Sequence, residues 1–326
     1  MQYLRGPAGE PINNMMYRYH SELIMGPEKH GNGSFSIPVP RIDLFPREFY
    51  TFPFVLQGPF MTVLSDFGCP YGCTFCPIST LGFKLRPIEE VVRELKQLWE
   101  AGYREVHFRD QTFGVNKKRT LELCQAIHEN LPKLTWSCFS RVDVLDEERI
   151  MAMVSSGCHT VIVGIEFDDD EMQKTLKKNI NRKQMFEAIG LCHKHNLRMA
   201  GTFILGLPEQ DERAILRTGE LARALQLDFA SFNLATPRLG TTWRKKLLAS
   251  GDINEKLWKM DTVEGTTAWT HASLSHDQLL HLRTKVERDF YLRPSYIARR
   301  LKGLRSTAEF SSFFNNGLAI FKGSKG

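Results

Sequence analysis

Phe60-Met61-Thr62-Val63-Leu64 is a short apolar run, and a few residues beyond it stands Cys69-Pro70-Tyr71-Gly72-Cys73-Thr74-Phe75-Cys76. The first stretch has the length and composition of a buried strand. The second carries three thiols in the spacing C-x3-C-x2-C. Three thiolates on one short loop can hold three irons of a cubane cluster, leaving the fourth iron open to a small molecule. Gly68, Pro70 and Gly72 suit a backbone that must wrap tightly, because Gly reaches conformations other residues avoid and Pro limits the alternatives. Phe75 is placed to shield a cluster and to rest against a cofactor. A zinc site is the alternative, but structural zinc usually takes four ligands from paired short loops, and no second pair of cysteines follows.

Outward from this loop, short apolar runs alternate with amphipathic stretches of helix length, the pattern of repeated βα units around a parallel sheet. A helix is expected from about residue 87, where Ile88, Val91, Val92, Leu95, Leu98 and Trp99 fall on one face. Glu89 and Glu90 suit the positive end of its dipole, and Gly102 closes it. Further strands are expected at 105–110, 135–141, 160–166, 198–207 and 229–236, with helices at 116–130, 146–156, 182–195 and 211–225. Six parallel strands with right-handed crossovers curl into a partial (β/α)6 TIM-like barrel, with its working rim at the C-terminal strand ends. A doubly wound open sheet is the alternative, since strand order does not follow from one sequence.

Residues 1–59, rich in Gly, Pro and Asn, read as an irregular extension or linker. The barrel then covers 60–242, and 243–326 reads as a helical, basic C-terminal region. Arg283, Lys285, Arg288, Arg293, Arg299, Arg300, Lys302 and Arg305 cluster there. Such a cluster is ordinarily a solvated helix face; an anionic ligand or a lipid surface is the sharper reading.

The chain has 326 residues, 42% of them apolar, and a formal net charge of +6. A sizeable core is affordable at this length, and the charge is too modest to indicate nucleic-acid binding. No apolar segment follows a basic start, and no run approaches the roughly 18 apolar residues a membrane span needs. A cytoplasmic protein is expected. Seven cysteines, three together and four scattered, fit a reduced compartment and a metal site better than a disulfide framework. Cys124, Cys138, Cys158 and Cys192 read as small core residues.

The loop Cys69 to Cys76 resembles the signature of the radical S-adenosylmethionine (SAM) superfamily. More narrowly, the chain is similar to the catalytic half of cobalamin-binding radical SAM proteins. That likeness is carried by Asp43-Leu44-Phe45-Pro46, Phe108-Arg109-Asp110-Gln111-Thr112-Phe113, Gly157-Cys158 with Gly164-Ile165-Glu166, Phe203-Ile204-Leu205-Gly206-Leu207-Pro208, and Phe290-Tyr291-Leu292-Arg293-Pro294. The resemblance implies that Cys69, Cys73 and Cys76 ligate a 4Fe-4S cluster whose open iron chelates SAM. An external one-electron donor would then drive cleavage to methionine and a 5'-deoxyadenosyl radical, which attacks an unactivated carbon of a small-molecule or lipid substrate.

By the same resemblance, Asp110 and Gln111 stand where many relatives carry a Gly-Gly-Glu that binds the SAM amino group, a triplet this chain lacks. Arg141 is expected to pair with the methionine carboxylate through its planar fork. Glu166, closing an apolar strand and so needing a partner, is expected at the SAM ribose or amino group. Phe203 and Leu205 lie in the stretch expected against adenine, where contacts would be backbone and apolar, so their side chains equally read as plain core; Pro237 with Leu239-Gly240-Thr241 is expected to shape the substrate side. His107 and Arg109 have parity opposite to Asp110, and His107 reads as an interior histidine.

Relatives of this kind carry a cobalamin domain before the barrel, and only about 42 residues precede Asp43 here, too few for a doubly wound domain. Either a separate subunit supplies cobalamin, or the chain works without it, or the sequence belongs to a longer one. Two other functions compete with a radical SAM enzyme. One is a non-catalytic iron-sulfur or zinc-binding interaction protein. The other is a tRNA methylthiolating enzyme, which would add an RNA-binding β-domain where this chain reads helical. No nucleic-acid partner is therefore expected.

Overall fold

The computed structural model describes residues 16–19, 22–27, 33–44, 50, 54–253 and 273–303. In chain order the strands are β1 (Met16–Tyr19), β2 (Glu22–Met25), β3 (Gly33–Ser34), β4 (Phe60–Val63), β5 (Asp66–Gly68), β6 (Phe83–Leu85), β7 (Glu105–Phe108), β8 (Thr135–Ser140), β9 (Cys158–Glu166), β10 (Arg198–Leu205) and β11 (Phe229–Leu234). The helices are α1 (Ile88–Glu100), α2 (Lys117–Asn130), α3 (Glu147–Ser155), α4 (Asp170–Thr175), α5 (Arg182–Lys194), α6 (Glu212–Ala224), α7 (Thr242–Ser250), α8 (His276–Tyr291) and α9 (Pro294–Gly303).

Six of the strands form one sheet in the order β4-β7-β8-β9-β10-β11, every neighbour parallel. Strand order here follows chain order without reversal. A doubly wound sheet would reverse at a switch point, so the order itself excludes that alternative. The result is the expected partial (β/α)6 TIM-like barrel with a helical C-terminal region.

Helix starts are fixed locally. Asn116, Asp146, Asn181 and Asp211 each accept a hydrogen bond from the backbone N–H three residues on, which satisfies a donor the helix leaves unpaired. The main core lies between sheet and helices, where Val106, Phe108, Trp136, Val161, Phe203 and Phe232 meet Leu95, Leu123, Ile150 and Ile215. This settles the parity on β7: Val106 and Phe108 face the helices, so Glu105, His107 and Arg109 face the inside of the half-barrel.

One expectation changes. The stretch 1–59 is not irregular throughout, because β1 and β2 pair as an antiparallel hairpin from Met16↔Met25 to Tyr19↔Glu22. Several of the described basic residues of the C-terminal region have partners. Arg283 pairs with Glu287 at 3.1 Å, Lys285 with Asp289 at 3.1 Å, Arg299 donates to the Leu227 carbonyl at 2.6 Å, and Arg300 covers the Phe229 ring. Arg305, Phe45 and Pro46 lie outside the described residues. The Tyr291 hydroxyl donates to the Ala230 carbonyl at 2.6 Å and accepts from its N–H at 3.0 Å, occupying backbone groups of the last strand of the sheet. Among the described residues no helix is long and apolar enough to cross a membrane.

Candidate functional site

The cysteine loop leaves the barrel through a second, small sheet. After β4 the chain turns at Leu64 and Ser65 into β5, which pairs antiparallel with β6, while β6 pairs with β3. Strands of two or three residues give too short a pattern to stand out in the sequence. Their effect is to pin both ends of the loop. Gly68 has φ +83, and a Cβ there would lie 1.9 Å from the Gly82 carbonyl oxygen, which instead accepts the Cys69 N–H at 3.0 Å. Only glycine permits this closure.

The turn entering β5 is held by Asp110. Its carboxylate accepts from the Ser65 N–H at 2.7 Å, the Ser65 hydroxyl at 2.5 Å and the Asp66 N–H at 3.1 Å, and the residue is fully buried. Both oxygens are therefore engaged by protein, which takes Asp110 away from the cofactor role expected of it and makes it a clamp on the strand leading to the loop. Gln111, its neighbour, is exposed. Burial raises the Asp110 carboxyl above its ordinary range, against the three hydrogen bonds that lower it. Asp66 is raised further, first by burial and then by the Asp110 charge.

The rest of the loop is fastened to the C-terminal ends of later strands. The Thr74 N–H donates to Leu176 O at 3.0 Å, and Thr74 O accepts the Trp243 N–H at 3.0 Å. Phe75 packs against a second apolar cluster that includes Phe167, Leu207, Ala235 and Trp243, together with Ile204. Cys69 Sγ lies 3.7 Å from Thr112 Oγ1, and Cys76 O accepts the Ser79 hydroxyl at 2.7 Å. The three thiols thus stand at the C-terminal rim.

Two cations reach this loop. Arg141, 4% exposed, makes a bidentate pair with Asp143 at 2.9 Å through each nitrogen, donates to Lys178 O at 2.6 Å, approaches Cys73 Sγ at 3.7 Å and stacks 3.8 Å over the Tyr71 ring. Lys178, nearly buried, lies with its ammonium 3.0 Å from Glu166 Oε1. Burial pushes the Cys73 thiol up, while Lys178 and Arg141 oppose that shift. Burial likewise raises Cys76. Thiolates at this rim would gain from both cations.

Glu166 ends β9 at φ +72, a conformation that is unusual outside glycine and turns its carboxylate toward Lys178. Lys178 is the site residue the sequence reading missed, since Lys177-Lys178 after a helix reads as a solvated end. The available signal was Glu166 itself, whose burial demands a partner. Phe203 and Leu205 are fully buried on the helix side, with Phe203 stacked on Phe232 at 5.0 Å. Their parity removes their side chains from the rim; on β10 it is Ile204 that shares a cluster with Phe75. Pro237 is buried after β11, its carbonyl accepting from Arg244 at 3.1 Å, and Thr241 caps α7.

Among the described residues no group of three His, Cys, Asp or Glu side chains is spaced to hold a single metal ion. A cubane asks for something else, with each thiolate on its own iron, and three thiols on one pinned loop beside two cations suit it.

Residues 66–222 match the Radical SAM superfamily. The chain is 33% identical over 269 residues to an uncharacterized methyltransferase of Pyrococcus horikoshii, covering 81% of this chain and 57% of that protein. It is 27% identical over 270 residues to the bacteriochlorophyllide d C-12(1)-methyltransferase of Chlorobaculum tepidum, covering 77% and 57%. The chain therefore spans little more than half the length of these relatives. A cobalamin-dependent S-adenosylmethionine radical enzyme, OxsB, solved with aqua-cobalamin and S-adenosylmethionine, matches with a TM-score of 0.64 at 14% identity over 93% of this chain and 50% of that one. At that identity the likeness concerns the fold.

Proposed function

Since the chain belongs to the radical SAM superfamily, we propose that it cleaves SAM reductively at the rim and transfers a methyl group to, or otherwise alters, an unactivated carbon of an organic substrate. The observation that carries the reading is the convergence of the pinned Cys69–Cys76 loop with Arg141 and the Lys178–Glu166 pair at the C-terminal strand ends. Methyl transfer is favoured over cyclisation or rearrangement by the methyltransferase relatives.

Cys69, Cys73 and Cys76 would hold a 4Fe-4S cluster, which supplies one electron to the sulfonium of SAM when bound. The protein's own residues do the rest. Arg141 and Lys178 offset the thiolate charge and offer donors to the methionine carboxylate. Glu166, held by Lys178, presents acceptor oxygens to the ribose hydroxyls or the amino group. Phe75 and its apolar cluster keep water from this end of the rim. Asp110 acts at a distance, by fixing the strand from which the loop departs.

Cobalamin, if this chain uses it, would come from a separate subunit or from a part of the protein outside this sequence. A small-molecule or lipid substrate and an external electron donor complete the proposed partners. The deciding experiment is anaerobic reconstitution followed by dithionite and SAM. Formation of 5'-deoxyadenosine, or of S-adenosylhomocysteine with methyl transfer, is the expected outcome. Neither product from protein with an intact cluster would leave a non-catalytic iron-sulfur protein as the reading.

A further inference from the structure

Building on the reading of the rim as the place of SAM cleavage, we propose that the inward face of the half-barrel receives its substrate through an anionic group, a carboxylate or a phosphate, bound by the Arg109 guanidinium.

Arg109 follows directly on β7, its N–H bonded to Val63 O at 2.8 Å, so its backbone is fixed by the sheet. Its parity points the side chain into the half-barrel, where it is exposed. The guanidinium carbon lies 5.3 Å from the centre of the Phe139 ring on the neighbouring strand. That is within cation–π range, and the ring orients a planar fork that would otherwise lose more freedom on binding. Phe139 is itself braced, edge to face, by His107 at 5.1 Å.

Charge separates this arginine from its neighbours. The other inward-facing charges near it are already compensated. Glu105 accepts from His159 at 3.0 Å, from Thr135 at 3.1 Å and from the Leu56 and Gln57 N–H groups; Glu166 is paired with Lys178. Among the described residues no carboxylate pairs with Arg109. His107, just below, is kept neutral at ordinary pH, first by burial and then by the Arg109 charge, so it supplies no anion and no competing cation. Across the sheet, β11 presents exposed Ser231 and Asn233, both neutral. An anionic substrate is thus oriented with its charge toward β7 and its neutral part toward β11. Arg182, by contrast, at the start of α5, pairs with Asp168.

The test is calorimetric titration of the reconstituted protein, with SAM present, using inorganic pyrophosphate in one arm and malonate in the other. Saturable binding of at least one probe is expected. Arg109→Gln should weaken it about tenfold or more, the loss of a charge-assisted hydrogen-bonded contact. Arg109→Lys should fall between, and Arg213→Gln on exposed α6 should leave it unchanged. The arm that responds says whether phosphate or carboxylate is preferred. No binding of either probe, or equal binding by Arg109→Gln, overturns the proposal. Formation of 5'-deoxyadenosine from SAM alone, measured on the same preparations, tests the functional reading separately, because anion binding at Arg109 does not need turnover.

Discussion

The ammonium of Lys178 lies 3.0 Å from a carboxylate oxygen of Glu166, in a space that exists because residue 164 has no side chain. Both side chains are nearly buried, at 8% and 9% exposure. A buried ion pair is a poor source of net stability, but removing one partner leaves a charge with nothing to offset it. Lys178→Met should therefore destabilise the fold by about 3–5 kcal/mol. The double variant Glu166→Gln with Lys178→Met should recover most of that loss. Chemical denaturation of the four proteins measures the coupling; a double variant as unstable as the sum of the two singles would show that the pair does not act as a unit.

Gly164 is the companion test. A Cβ at this position would meet Glu166 Oε1 at 2.2 Å and Lys178 Nζ at 2.6 Å. Gly164→Ala should displace the pair without disturbing the thiols. SAM binding by equilibrium dialysis should weaken by about tenfold, the cost of misplacing one charged contact, while iron content after reconstitution stays near that of the unaltered protein. Equal loss of iron would place the glycine's role in folding instead.

At Gly68 the obstruction is backbone, the Gly82 carbonyl oxygen 1.9 Å from an added Cβ, at a φ of +83 that also disfavours any side chain. Gly68→Ala should open the base of the cysteine loop while the barrel remains, because β5 lies outside the six-stranded sheet. Circular dichroism close to that of the unaltered protein, with iron and sulfide well under half after anaerobic reconstitution, is the expected pair of results. Full cluster loading would show that the loop tolerates a wider base.

Much of the fold was legible in the sequence because its signals are local. The amphipathic stretches of helix length, the apolar runs of β7 to β11 and the C-x3-C-x2-C spacing each act over a few residues. The structure's strand order was not legible, since it depends on contacts between strands far apart in the chain. The site was read in part. Arg141 and the Glu166–Lys178 pair stand beside the loop, and the roles toward SAM given to them are proposals. Asp110 holds the turn into β5, a contact between segments far apart in the chain, and Phe203 and Leu205 lie on the helix side, as the plain-core reading of their side chains has it. Lys178 escaped because it is buried by an irregular stretch after α4 that returns over the rim, and nothing in Lys177-Lys178-Asn179 distinguishes the buried lysine from its solvated neighbour.

Asp66 has a pH signature. Its Oδ1 is buried without a hydrogen-bond partner, and burial with the nearby Asp110 charge raises its carboxyl to about 9. The folded state therefore holds a proton that the unfolded chain releases near its ordinary carboxylate range. Stability should fall as pH rises from about 4 toward about 9. Asp66→Asn keeps the shape and removes the titration, so it should be more stable than the unaltered protein near pH 8 and little different near pH 5. Urea midpoints at the two values decide it, and parallel curves would show that Asp66 is ionised in the fold.

His107 acts in the opposite direction. It is 2% exposed, its Nδ1 lies 2.9 Å from the Ser137 hydroxyl, and burial, then the Arg109 charge, then His159 lower its pKa to about 4. Below its ordinary value near 6.5 the unfolded chain takes up a proton that the folded state refuses. Stability is unaffected by this group above about pH 6.5 and is lost as pH falls toward about 4, by up to about 3 kcal/mol. His107→Gln can still bond to Ser137 but cannot titrate, so its stability should be flatter across that window even if it is lower at pH 7. Denaturation midpoints measured at intervals between pH 7 and 4.5 compare the slopes. An acid slope that survives the substitution would assign the loss to other groups, and would mean that His107 carries its proton inside the barrel.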